Sequence, residues 1–319
     1  MRLGGRSRWA ALAGLVLAVA AVAAAAGEPP RAEDGLPRLG GPPAADPAKF
    51  TFAILGDRTA GGEGNWPVFD RAVDEINRLR PDFAVMIGDL IPGYNNGALD
   101  AEWKVFREHA SRLAVPLFLV PGNHDIFNSE ARAYWIRNVG RTFYSFDHKG
   151  CHFVVLNTEE AHNGNGSGLA EAQVLWAVED IRKSDARQIF VLLHKPFFLP
   201  GQDPGAPWDE WGRVRAALKG RRYTVFGGHE HCLQRQVLDG RRHFVLGPTG
   251  GECHVQADKA LGLFHHFTMV TVEGEEAHIA FIEPGSIHPD DVTVPKPPPA
   301  PEPAAAKTEA AAGPAAPKP

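Results

Sequence analysis

Six residues of metal-binding type stand behind apolar runs. Asp57 follows Gly56, and Asp89 follows Gly88. Asn123, His124 and Asp125 follow Gly122. His194 closes a further apolar run, and Gly227-Gly228 precede His229-Glu230-His231. Carboxylate, amide and imidazole donors together suit Mn, Fe or Zn. Each block alone is a weak signal. Gly-Asp after a strand is commonly a turn, and a His before Lys195-Pro196 is compatible with a buried, hydrogen-bonded side chain. The pair His229 and His231 is stronger, because the glycines ahead of it let backbone approach a site closely. Five such strand ends in one chain are not what core packing alone requires. None of the three Cys stands in a donor position.

The elements that must position these residues are readable from periodicity. Apolar, strand-like runs cover Phe50–Leu55, Phe83–Ile87, Leu117–Val120, Gln188–Leu193 and Tyr223–Phe226. Helical spacing joins Phe69, Val73, Ile76 and Leu79, and then Leu99, Trp103, Phe106, Ala110 and Leu113. Further helices are expected from about Ala170 to Lys183 and over Val214–Leu218. Residues 142–157 read as a hairpin turning at Asp147–Gly150. Late strands are expected at 242–246, 266–272 and 277–282. The first half reads as α/β and the end as a β meander. In open α/β sheets ligands bind at the carboxyl ends of parallel strands, which is where Asp57, Asp89, Asn123, His194 and His229 fall.

The ordered series Gly56-Asp57, Gly88-Asp89, Gly122-Asn123-His124-Asp125, His194 and Gly228-His229-Glu230-His231 resembles the calcineurin-like metallophosphoesterase superfamily. The blocks cover about residues 51–232, and the late strands extend the likeness to about 282. The resemblance implies a four-layer αββα sandwich, two mixed sheets flanked by helices, with two divalent metal ions at the strand ends. It implies that Asp89 bridges both ions, that Asp57 and His231 hold the first, and that Asn123, His194 and His229 hold the second. His124 would face the substrate, protonating a leaving alkoxide or binding a phosphate oxygen. The implied activity is hydrolysis of phosphate mono- or diesters, small or polymeric, by a metal-bridging hydroxide. Two ions bring +4 and the two Asp ligands −2, which leaves a centre suited to a phosphoryl group.

Several positions depart from the family pattern. Where many members have Asp-x-His, this chain has Asp57-Arg58-Thr59, so the first ion lacks an imidazole. Thr59, water or Tyr94 could fill the gap. Pro92 stands where purple acid phosphatases carry a ligand Tyr and where phosphoprotein phosphatases carry an Asp that orients the catalytic His. Asp125 is the candidate replacement for that orienting group. The block Asp57-Arg58-Thr59-Ala60-Gly61-Gly62 is similar to a bacterial exported subgroup. Arg58 is a candidate contact for substrate phosphate, its alternative being a surface ion pair. Two other readings stand beside the phosphoesterase: a phospholipid- or wall-polymer-directed diesterase, and a catalytically weak metal- or phosphate-binding module.

Lesser features are expected to be mostly structural. His265-His266 reads as packing, while His254 lies in a loop that could rim the cleft. Cys232 and Cys253 could pair in an oxidising compartment. Trp208 and Trp211, after His194, could contact an organic leaving group.

Composition sets the outer limits. The chain has 319 residues, 44% of them hydrophobic, and a net charge of −5. That excludes wholesale disorder and argues against a nucleic-acid-binding surface. Three Cys cannot make a disulfide framework. The ends are unlike the middle. Residues 1–26, with Arg2, Arg6 and Arg8 ahead of an apolar run to Ala26, read as a cleavable export signal. The alternative is an uncleaved membrane anchor; cleavage would leave no stable span. Residues 27–48 read as a Pro/Gly-rich linker, 49–289 as the phosphoesterase domain, and 290–319 as a disordered Pro/Ala-rich tail. The protein is therefore expected outside the cytoplasm, secreted or periplasmic. Removal of the signal would leave 30 Lys+Arg against 38 Asp+Glu, a net charge of −8.

Overall fold

In a computed structural model of the chain, residues 49–160, 168–199, 210–253, 258–283 and 286–288 are described. The expected signal, linker and tail, and also Trp208 and His254, lie outside the described residues.

Strand β1 (Lys49–Leu55) shows how the layers are built. Its apolar residues fall on both faces, as they must in a central strand covered twice. Phe50, Phe52 and Ile54 belong to the core between two sheets, while Ala53 and Leu55 pack with the helices outside. β2 (Phe83–Met86) and β3 (Leu117–Leu119) run parallel to it. β10 (Phe267–Glu273), β11 (Glu276–Glu283) and β12 (Ser286–His288) extend the sheet by antiparallel pairing, in the order β12-β11-β10-β1-β2-β3.

The second sheet has the order β4-β5-β6-β7-β9-β8. Its members are β4 (Tyr144–His148), β5 (Cys151–Val155), β6 (Gln188–Leu192), β7 (Tyr223–Gly227), β8 (Gln234–Leu238) and β9 (Arg241–Val245). β5, β6, β7 and β9 are parallel, and β4 and β8 close the edges antiparallel. The β4–β5 turn uses Lys149 and Gly150, both at positive φ (45° and 72°), as a tight two-residue hairpin requires.

Helices α1 (Trp66–Leu79), α2 (Leu99–Ala110) and α3 (Ser129–Asn138) cover the first sheet; α4 (Glu171–Lys183) and α5 (Glu210–Leu218) cover the second. The result is the expected sandwich of two mixed sheets flanked by helices. Aromatic packing locks the sheets together: Phe52 meets Phe153 at 5.2 Å and Phe190 at 5.1 Å, ring to ring, both edge-on. Truncating such a buried Phe to Ala costs about 3–5 kcal/mol. This core therefore sets how the strand ends of one sheet face those of the other.

Three elements go beyond the periodicity. α3 buries only Ala131, Tyr134 and Trp135, too few for a clear apolar stripe, although Asn128 caps it by accepting from the Ala131 N–H at 2.9 Å. β8 is a partly exposed polar edge strand, and β12 is three residues long. Among the described residues no helix is long and apolar enough to cross a membrane.

Candidate metal centre

The loops after β1, β2, β3, β6 and β7 bring the sequence-predicted donors together. Asp89, His194 and His229 offer donor atoms within 4.8 Å of one another, and so do Asp57, Asp89 and His231. Asn123 joins the first group, its Oδ1 lying 3.1 Å from His194 Nε2. Asp89 is common to both groups. The backbone bends sharply to achieve this: Asp89, His229 and His231 have φ of 55°, 72° and 51°. Left-handed conformations of this kind cost about 1–3 kcal/mol each and persist only where the surroundings enforce them. Glycine makes the close approach possible at two points. A Cβ on Gly88, itself at φ 103°, would collide with the His194 ring, and one on Gly122 with the Asp89 carboxylate.

Hydrogen bonds orient the imidazoles. His194 Nδ1 donates to the Ile87 carbonyl at 3.0 Å, and His231 Nδ1 donates to the Glu252 carbonyl at 2.6 Å. A carbonyl only accepts, so each Nδ1 carries the proton and each Nε2 lone pair is left for the centre. Those Nε2 atoms lie 3.2 Å from Asp89 Oδ2 and 3.6 Å from Asp57 Oδ1 respectively. The His229 side chain makes no hydrogen bond among the described residues and faces His194, ring centroids 5.1 Å apart. This donor set fits a pair of divalent ions.

The electrostatics point the same way. Burial pushes the Asp57 carboxyl up and Asp89 adds to this, against the pull of His194 and His231. Burial also opposes charge on Asp89, but His194 and His124 outweigh it and hold the carboxyl down at about 2. Burial opposes charge on His194 too, yet Asp89 and then Asp57 raise that imidazole to about 10. Burial and the neighbouring His194 lower His229 to about 3. A buried positive charge is thus wanted between Asp89 and His194. A bound cation meets that demand and displaces the proton.

Asp125 does not orient His124. It is fully buried, and its carboxylate accepts the backbone N–H groups of Asp89 (2.8 Å), Leu90 (2.9 Å), Ile91 (3.3 Å) and Gly122 (2.8 Å). It holds the loop that strains Asp89 into place. The His124 ring is turned instead by Pro92, whose carbonyl accepts from Nδ1. The residue that removes the family's orienting carboxylate thus replaces it with main chain. His124 Nε2 is 3.9 Å from Asp89 Oδ2, open to a bound ester.

Tyr94 is 60% exposed. Asn123 Nδ2 donates to its hydroxyl at 3.1 Å, and its ring lies edge-on to His124 at 4.8 Å. It therefore stands beside Asn123 rather than completing the Asp57 and His231 group. Thr59 is buried, and its carbonyl accepts the Glu252 N–H at 2.9 Å. Arg58 is not in a surface ion pair: it is 6% exposed, and its guanidinium lies over the Trp66 ring at 3.7 Å. Cys232 and Cys253 are free thiols. Trp211 is buried in the layer of α4 and α5 rather than facing a leaving group. His266 is packed inside, as expected, its Nε2 accepting the Gly247 N–H at 3.3 Å.

A family model described as calcineurin-like phosphoesterase matches residues 50–233. The human protein named serine/threonine-protein phosphatase CPPED1 is 34% identical over 207 residues, 60% of this chain and 64% of that protein. The match thus spans a little under two thirds of the relative. A probable glycerophosphodiester phosphodiesterase GpdQ of Arcobacter nitrofigilis is 26% identical over 127 residues, 38% of this chain and 45% of that one. Among solved structures, a dimetal phosphatase from Danio rerio superposes with a TM-score of 0.60 at 16% identity, covering 78% of this chain and all of that one; this likeness speaks to the fold. The ordered donor blocks, the two groups sharing Asp89 and the matched family model together place the chain in the calcineurin-like phosphoesterases.

Proposed function

We propose that the chain is an exported phosphoesterase in which Asp57, Asp89 and His231 hold one divalent ion and Asp89, Asn123, His194 and His229 hold a second, the ions being Mn, Fe or Zn. The observation that carries this reading is the pair of donor groups sharing Asp89, with His124 Nε2 beside them at 3.9 Å from Asp89 Oδ2. When bound, the ions supply Lewis-acid charge for the phosphoryl group and lower the pKa of attacking water. The protein's residues do the rest. His194 and His231 present fixed Nε2 lone pairs because backbone carbonyls hold their Nδ1 protons. Asp125 keeps the Asp89 loop in its strained form. His124 serves as acid in its imidazolium form: Nδ1 keeps its proton on the Pro92 carbonyl while Nε2 gives its own to the leaving oxygen, which leaves a neutral ring, a role worth about 10²–10⁴-fold in rate.

The substrate is a phosphate ester, and the relatives' names span a phosphatase and a phosphodiesterase. Metal analysis joined to assays on p-nitrophenyl phosphate and bis-p-nitrophenyl phosphate tests the reading. We expect two ions per chain and turnover that vanishes on chelation and returns with Mn, Fe or Zn. A protein that binds ions but turns over neither ester would instead be the binding module. Export rests on residues 1–26; a mature protein beginning near Gly27 is expected from N-terminal sequencing, and one retaining Met1 in the cytoplasm would overturn it.

A further inference from the structure

Beside the candidate centre lies a cavity of about 390 Å³. Its wall includes Arg58 and Leu90, the residues directly after Asp57 and Asp89, and Pro92, whose carbonyl turns His124. The Arg58 N–H also donates to the Asp89 carbonyl at 3.0 Å, so the cavity adjoins the loops that carry both carboxylates.

Arg58 is built into this wall in an unusual state. It is 6% exposed, and its Nη2 donates to the Gly62 carbonyl at 2.8 Å. Its Nε is buried with no partner, and no carboxylate lies within 4.0 Å of the guanidinium among the described residues. A buried guanidinium without an ion pair is costly, so a structural role alone does not account for it. The side chain is also pre-positioned. It lies on one face of Trp66, while the His109 ring stacks on Trp66 at 3.8 Å and is itself held by Asp70 at 2.7 Å. Of the two acids lining the cavity, Glu102 already accepts the Gly93 N–H at 2.9 Å. Glu63 remains for a hydroxyl or ammonium donor.

We propose that this cavity receives the alcohol part of the substrate, and that Arg58 selects alcohols bearing a second anionic group, a carboxylate or a further phosphate. The inference rests on the phosphoesterase reading for its orientation: scissile phosphate at the centre, alcohol in the cavity. Arg58 is then a specificity residue, and the apolar wall at Leu90 and Val105 takes the carbon stem.

The test compares 3-phosphoglycerate and fructose 1,6-bisphosphate with glycerol phosphate on the metal-loaded, full-length protein. The expected result is a preference of about 10–100-fold in kcat/KM for at least one anionic ester, the worth of one charge-assisted hydrogen bond, expressed mainly in KM. The carboxylate and bisphosphate arms separate the two anion sources. Arg58→Gln should bring the ratio to near one, and Arg58→Lys should restore part of it. Ala101→Trp, at an exposed position lining the cavity, should raise KM for the anionic esters without unfolding the protein. Calorimetric binding of glycerate against glycerol reads the same subsite without turnover. Equal kcat/KM for charged and neutral esters, a preference surviving Arg58→Gln, or equal binding of glycerate and glycerol would overturn the proposal. An enzyme inactive on every ester but still preferring glycerate would overturn the phosphoesterase reading and leave this subsite standing.

Discussion

Two buried histidines each lie between two aspartates, at opposite ends of the second sheet. His152, at the start of β5, has Nδ1 at 2.7 Å from Asp147 and Nε2 at 2.9 Å from Asp180. His194, just past the end of β6, has Asp89 at 3.2 Å from Nε2 and Asp57 at 3.7 Å from Nδ1, but its Nδ1 proton goes to the Ile87 carbonyl. The difference is what the second nitrogen meets. With a carboxylate on each nitrogen, His152 donates twice, and the imidazolium itself neutralises its neighbours. With a carbonyl on Nδ1 and Asp89 at Nε2, His194 holds on Nε2 a proton that a cation can replace, and His229 and Asn123 crowd the same point. Two arrangements with the same residue types thus serve different ends: one is a closed ion cluster, the other a seat for a cation.

The largest effect that would break this comparison is at the shared carboxylate. Asp89→Ala should empty both ion positions and cut turnover by more than about 10³-fold, the upper end for removing a single electrostatic donor. Retention of two ions by elemental analysis would refute the shared role. Next comes His231→Ala. It should leave one ion, held by the Asp89, Asn123, His194 and His229 group, and lower kcat by about 10²–10³-fold; loss of both ions would show that the groups do not load independently. Asp125→Asn reaches the centre only through the Asp89 loop. An amide oriented for some of the four N–H donors presents its own N–H to others, so stability should fall by about 1–3 kcal/mol and metal affinity by about 10–100-fold. The Tm loss should persist in the chelated protein, which separates it from simple loss of metal.

The smallest effect is at His152. Burial opposes its charge, but hydrogen bonds to Asp180 and Asp147 outweigh this and raise its pKa. The contribution is therefore complete below the unfolded value of about 6.5 and fades as pH rises through the higher folded value. His152→Gln should lower stability by about 1–2 kcal/mol at pH 6, less at pH 9, with metal content and kcat unchanged. A change in metal content would break the contrast between the two histidines.

The sequence made the donor blocks legible because ligand chemistry is local: Asp57, Asp89, Asn123, His194, His229 and His231 each stand directly behind an apolar run. The strands were legible because central strands covered on both faces are apolar almost throughout. α3 and β8 were not, since one carries three buried residues and the other lies half-exposed at a sheet edge. Asp125 was visible as a residue but not as a buttress. Its partners Asp89 and Leu90 lie 36 and 35 positions away, and nothing local announces them.

What the sequence by itself determined, then, is the set of donors, their order and the strand ends that carry them. Only the tertiary structure decided which nitrogen each imidazole presents, that Pro92 and not Asp125 turns His124, and that Arg58 is buried against a cavity. The physical reason is range. Donor type is a property of a side chain, but tautomer, strain and burial depend on groups brought in from distant segments, such as the Ile87 carbonyl 107 positions from His194 and the Glu252 carbonyl 21 positions from His231. Those meetings exist only once the phenylalanine core has set one sheet against the other.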